Sequence, residues 1–189
     1  MIKNVRVYGL EEAIRASKFP MSVNIDKLNS TVTKTVTSLA QSKKGEGHDQ
    51  FLTGIICQFD LTLSLKAWPE AQRYHFLDFV SSQSTMHRIT KFNIDEQVNE
   101  YVDAEILRRF KELVEQYNND SCAENYLKVL YNIPTGFKLT AAMTTNYRQL
   151  KTIYAQRRTH RLPEWREFCK WIETLPHAEF IIGGEAKDE

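Results

Sequence analysis

Two stretches of the chain carry side chains able to do chemistry. The first is Gln72-Arg73-Tyr74-His75, followed by Ser81-Ser82-Gln83-Ser84 and His87-Arg88. Guanidinium, imidazole and hydroxyl groups gathered where a helix gives way to a loop can surround a phosphate or a planar heterocycle. A solvated polar loop has the same composition. The second begins at Asn146-Tyr147-Arg148. Between residues 148 and 170 it holds seven basic residues (Arg148, Lys151, Arg157, Arg158, Arg161, Arg166 and Lys170) against Glu164 and Glu167. In a chain of formal charge +1, that local excess favours an anionic ligand, with an exposed basic helix face as the alternative. Tyr147, Tyr154 and Trp165 interleave with the cations, a pattern that also suits nucleic acid.

Several chemistries are missing. There is no P-loop, no glycine-rich dinucleotide fingerprint and no nucleophile elbow. With 7 glycines in all, a bound nucleotide would have to be held by side chains. The 3 cysteines, Cys57, Cys122 and Cys169, are widely separated and read as buried thiols of a reducing compartment. The 5 histidines show no metal-ligand spacing. The N-terminal residues lack a signal-peptide pattern and no apolar run is long enough to span a bilayer. A cytoplasmic protein without a membrane segment is expected.

To position these groups the chain offers a single domain over residues 1–189. Val5 to Tyr8 alternates as a strand and Glu11 to Ser17 suits a short helix. Residues 23–41 have apolar positions three or four apart, favouring a helix, although their threonines and valines argue otherwise. Leu52 to Leu63 reads as a buried strand, Ala67 to His75 as a short helix, and the FVSSQSTMHR segment as a loop. Asn93 with Glu96 looks like a capping box opening one helix that runs to Tyr117, and Ser121 with Glu124 looks like a second. A strand over 136–144 and helices over 146–160 and 163–172 complete an α+β fold around a mostly antiparallel or mixed sheet.

The order of segments from Glu124 onward resembles the second half of the flavin-dependent thymidylate synthases. There a helix ending in Leu-Pro leads through a strand into Asn-x-Arg-Ser-Leu. Here the helix ends at Ile133-Pro134, and Asn146-Tyr147-Arg148-Gln149-Leu150 follows the strand. The family's next arginine stands nine positions further on, as Arg157 does, and Leu162-Pro163-Glu164-Trp165-Arg166 takes the place of its Ala-Gln-x-Glu-Ile-Arg run. Upstream, His48, Arg73-Tyr74-His75, Ser84 and His87-Arg88 resemble its Arg-His-Arg motif, with a tyrosine or a histidine wherever the register departs from it.

The resemblance implies a flavin-dependent thymidylate synthase-like fold and a homotetramer whose active sites are shared between subunits. It implies FAD, a nucleotide substrate such as dUMP, NADPH and methylene-tetrahydrofolate, with a one-carbon unit transferred to C5 of the pyrimidine. His48, Arg73, His75, Arg157 and Arg161 would face the flavin. Ser84, Arg88, Arg148 and Arg166 would face the nucleotide. No protein nucleophile is implied, because the cofactor carries the hydride chemistry. The altered Arg-Tyr-His motif leaves two further readings: a relative that kept the fold and lost the flavin, and a nucleic-acid-binding protein using residues 147–170.

Overall fold

Along β2 (Ile56–Ser64) the side chains of Cys57, Phe59, Leu61 and Leu63 are buried while Gln58 is exposed, the period of two that places one face of a strand against a core. The computed structural model, which describes residues 1–43 and 45–183, builds its sheet on this strand. The order of elements is β1 (Ile2–Tyr8), α1 (Leu10–Ala16), α2 (Lys34–Ala40), β2, α3 (Trp68–Ala71), β3 (Asp78–Ser82), α4 (Thr85–Arg88), α5 (Ile94–Gln97), α6 (Ala104–Asn119), α7 (Ala123–Tyr131), β4 (Lys138–Asn146), α8 (Tyr147–Arg157), α9 (Pro163–Ile172) and α10 (Glu179–Ile182).

The four strands are ordered β1-β2-β4-β3 and every pairing is antiparallel. The expected α+β class with an antiparallel sheet is therefore observed. β2 pairs with β4 without interruption from Ile56↔Asn146 to Ser64↔Lys138. Met143 and Ala141 of β4 join Phe59 and Leu61 on the buried face. The face is closed by α8 and α9: the Phe59 ring centroid lies 5.8 Å from that of Phe168 and 4.6 Å from that of Trp171. A second apolar cluster forms where α6 and α7 fold over Ile89 and Phe137, and Leu139 of β4 packs against both clusters.

Four expectations are corrected. Residues 23–41 do not form one helix: only Lys34–Ala40 does, capped by the Thr33 hydroxyl on the Val36 amide. The preceding strap is held by Lys18, whose ammonium binds Asn29 and Thr31 carbonyls at 2.8 Å. Second, the FVSSQSTMHR segment is no loop; it supplies edge strand β3 and helix α4. Third, the long helix after Asn93 is two helices. Asn93 donates to the Glu96 side chain instead of capping, Val98 forms a bridge with Phe137, and Asp103 caps α6 through the Glu105 and Ile106 amides. Fourth, α7 begins after Cys122 with no side-chain cap, so the Ser121–Glu124 box is not made, and Cys122 itself is exposed.

Candidate functional site

Helix α8 begins where β4 ends, and its start is fixed three ways. Asn146 remains paired with Ile56 in the sheet, its side chain accepts the Gln149 amide at 2.9 Å, and the Tyr147 amide donates to the Ile55 carbonyl at 3.0 Å. Tyr147 points inward, fully buried, with its hydroxyl on the Pro176 carbonyl at 2.7 Å. Arg148 and Lys151, three apart, therefore share the opposite side of the first turn.

Both cations reach the same carboxylate. Asp49, whose side chain is 6% exposed, accepts Arg148 Nε at 3.0 Å on one oxygen and Lys151 Nζ at 3.0 Å on the other. Arg148 also donates from a terminal nitrogen to the Gln50 side-chain oxygen at 2.7 Å. Lys151 adds the carbonyls of Ala40, at 2.8 Å, and Ser42, at 2.7 Å.

Arg148 borders a cleft of about 740 Å³ whose walls include Phe76, Asn146, Gln149, Gln156 and Lys43. Phe76 is 54% exposed, so an aromatic ring lines the same cleft as amides and a guanidinium. That set suits a flat heterocycle carrying an anionic group. Ser42 and Lys43 also border a second depression, again about 740 Å³, lined by Thr33, Lys34, Thr37, Ser38 and His48. Between the two, the Ser42 hydroxyl is buried without a partner among the described residues. A third cleft of about 590 Å³ holds Lys66, Tyr101, Arg161, Arg166 and Glu164. Among the described residues, none that borders it borders the other two.

The nine expected ligand-facing residues do not meet in one cavity. Arg148 borders the first cleft, His48 the second, and Arg161 and Arg166 the third. Arg73 and His75 are exposed in the turn after α3, with the His75 ring 4.7 Å from Phe76. Ser84 precedes α4 and Arg88 is its last residue, the arginine exposed. Arg166 is anchored by donating to the His160 and Arg161 carbonyls at 2.6 and 2.8 Å.

Arg157 is different. It donates to Glu70 at 2.8 Å and to the Tyr74 hydroxyl at 2.7 Å, and its guanidinium carbon lies 4.8 Å from the Trp165 ring centroid. The same Glu70 oxygen accepts the Trp165 indole N–H at 3.1 Å and faces His160 Nε2 at 3.3 Å. His160 Nδ1 accepts the Leu162 amide at 3.2 Å, which leaves Nε2 to carry the proton toward Glu70. Burial raises the Tyr74 phenol above its usual range, opposed by the hydrogen bond from Arg157. Tyr74, the residue at which the motif departs from its family pattern, thus turns inward and spends its hydroxyl on Gln156 and Arg157.

The partners missed in the sequence are Asp49, Gln50, Glu70 and Phe76. The available signal was an acid beside His48 and another in α3, each requiring a cation once buried. The stacking role for the interleaved aromatics is corrected: Tyr147 and Trp165 are fully buried and belong to the core. Burial pushes the thiols of Cys57 and Cys169 up to about 12, so neither is a nucleophile near neutrality. Among the described residues, no helix is long and apolar enough to cross a membrane.

No family model matches the sequence, and no curated protein sequence matches it. Solved structures do. The flavin-dependent thymidylate synthase ThyX of Helicobacter pylori, complexed with FAD and dUMP, superimposes with a TM-score of 0.74 at 16% identity, covering 96% of this chain and 98% of that one. A second structure of Helicobacter pylori thymidylate synthase X with FAD and dUMP gives a TM-score of 0.74 at 15% identity over 97% and 98% of the two chains. The chain has the flavin-dependent thymidylate synthase fold over nearly its whole length.

Proposed function

We propose that this chain is a single-domain, cytoplasmic, nucleotide-modifying enzyme of the flavin-dependent thymidylate synthase type. It binds a deoxypyrimidine monophosphate such as dUMP together with FAD, and a one-carbon unit passes to C5 of the base. One observation carries the reading: Arg148, held by a buried carboxylate, borders a cleft of about 740 Å³ together with an exposed phenylalanine and a set of amides. The guanidinium suits the phosphate, Phe76 the pyrimidine face, and Gln149 and Gln156 its hydrogen-bonding edge.

The residues present fit a flavin in part. His48, Arg73, His75 and Arg161 are exposed and make no hydrogen bond or ion pair from their side chains among the described residues, which suits a ligand shared with another copy. Their dispersal over separate surfaces supports a homotetramer with composite sites. A bound flavin supplies the hydride chemistry, with NADPH as the reductant and methylene-tetrahydrofolate as the carbon donor. The protein side chains bind, orient and neutralise charge.

Arg157 favours a second reading, in which the fold binds nucleotide without flavin: its guanidinium is neutralised inside the chain by Glu70. The visible spectrum of the purified protein, with FAD and then dUMP added, separates the two. A flavin band perturbed by dUMP is expected for the enzyme. Nucleotide binding with no retained flavin would establish the second reading, and binding of neither would refute both.

A further inference from the structure

We propose that Asp49 is the positioning residue of the nucleotide site, presetting Arg148 for the phosphate; the role rests on the cleft being that site. Asp49 is buried, and each of its oxygens takes a different cation of α8. The two cations have unequal duties. Lys151 is 15% exposed and its three ammonium protons match three acceptors, Asp49, Ala40 and Ser42, so nothing is left for a ligand. It ties α8 to the end of α2 and to the turn beginning at His48.

Arg148 is held at Nε by Asp49 and at one terminal nitrogen by Gln50. Its other terminal nitrogen has no partner among the described residues, and the side chain is 37% exposed on the cleft. Two cations against one buried carboxylate leave one positive charge uncompensated, and Arg148 carries it at the border of the cleft. An arginine held this way loses little rotamer freedom on binding, so its hydrogen bond to an anionic oxygen is largely retained as affinity. Asparagine at position 49 keeps the shape and loses the charge. Its single oxygen can serve Arg148 or Lys151 but not both, and Arg148 is freed to swing away from the cleft.

The test compares dUMP with deoxyuridine, which lacks the phosphate, by calorimetry or equilibrium dialysis on the full chain. Wild type is expected to prefer dUMP. In Asp49→Asn the preference falls about tenfold, the value of one charge-assisted hydrogen bond, while deoxyuridine binding is unchanged. Because the single variant strands a buried ammonium, Asp49→Asn combined with Lys151→Met provides a second background in which Arg148 is equally unheld. The Arg148 Nε–H, followed by NMR without ligand, is expected to exchange slowly in wild type. A variant that keeps the full preference for dUMP, or a fast-exchanging Arg148 in wild type, would overturn the role of Asp49 alone. A wild type that binds dUMP no better than deoxyuridine, or binds neither, would overturn the nucleotide reading and the role together.

Discussion

Arg157 and Glu70, 87 positions apart in sequence, form a 2.8 Å ion pair with only 14% and 25% of their side chains exposed. The pair joins α3 to the last turn of α8, and Trp165 of α9 completes it from one side. A cation that would otherwise mark the most basic stretch of the chain is thereby neutralised within the fold. The basic segment is accordingly less basic in three dimensions than in sequence, since Asp49 and Glu70 enter it from far upstream.

Removing that guanidinium leaves Glu70 largely buried beside an indole and a histidine. Arg157→Ala is therefore expected to destabilise the protein by about 3 kcal/mol, the usual cost of stranding one partner of a buried pair. For a chain of this size that is a fall in melting temperature of roughly 6–12 °C. Arg157→Lys, which keeps the charge but not the fork, should lie between. An unchanged thermal melt for Arg157→Ala would show that the cage is not a structural pin.

How far the fold could be read from sequence depends on where each element finds its partners. β4, α8 and α9 were legible because their signals are local: alternation through Ala141 and Met143, the Asn146 cap, and Pro163 at the first turn. The break at residues 98–103 was not, because Val98 leaves the helix to bridge Phe137, which is distant in sequence. Edge strand β3 was hidden because all five of its residues are exposed, so no alternation marks it. The individual candidate residues came from the family resemblance, and of those nine only Arg148 borders the cleft that holds Phe76. Their partners Asp49 and Glu70 were not, since a carboxylate in sequence does not show which cation it will meet.

The three thiols differ in environment and should differ in reactivity. Cys122 is exposed, while Cys57 and Cys169 are buried and raised to about 12 from an ordinary value of 9.0. A thiol reagent at neutral pH should label one cysteine promptly and the other two only on unfolding. The same shifts set a pH dependence. Unfolded thiols ionise from about pH 9 while the folded ones stay protonated to about 12, so the unfolded chain releases protons first. Stability should be intact below pH 8 and decline steadily from 9 to 12, with the Tyr154 phenol, raised to about 12 by burial and then by its bond to Glu173, acting in the same direction. Urea midpoints that hold constant between pH 8 and 11 would contradict this.

Gly9 links β1 to α1 at φ +72°, and a Cβ there would collide with the Gly54 carbonyl oxygen. Gly54 lies at the end of the turn that begins at His48 and carries Asp49. Gly9→Ala should cost about 1–3 kcal/mol, from left-handed strain and the clash together. Because the collision pushes on the turn, nucleotide affinity should fall as well as thermal stability. A melt within experimental error of wild type would refute the first part.

The Ser42 hydroxyl, buried between two clefts and unpartnered among the described residues, gives a prediction of opposite sign. An unmet buried polar group carries a desolvation penalty of about 1–3 kcal/mol, so Ser42→Ala should be neutral or stabilising in the ligand-free protein. A clear loss of stability would mean that the hydroxyl is satisfied in solution.

The most direct prediction concerns Arg148, the guanidinium that borders the cleft with one terminal nitrogen unpartnered among the described residues. Replacing it with alanine removes a ligand contact and leaves Asp49 with Lys151 as its ion-pair partner, an arrangement that remains charge-balanced. Stability should therefore change by less than for Arg157→Ala, by about 1 kcal/mol. Nucleotide affinity should drop on the order of tenfold to a hundredfold, since a hydrogen bond between charged partners contributes about 1.5–3 kcal/mol. The contrast between two arginines nine positions apart on one helix, one costing binding and the other costing stability, is what the geometry demands. If Arg148→Ala melted early while binding dUMP normally, the two roles would have been assigned the wrong way round.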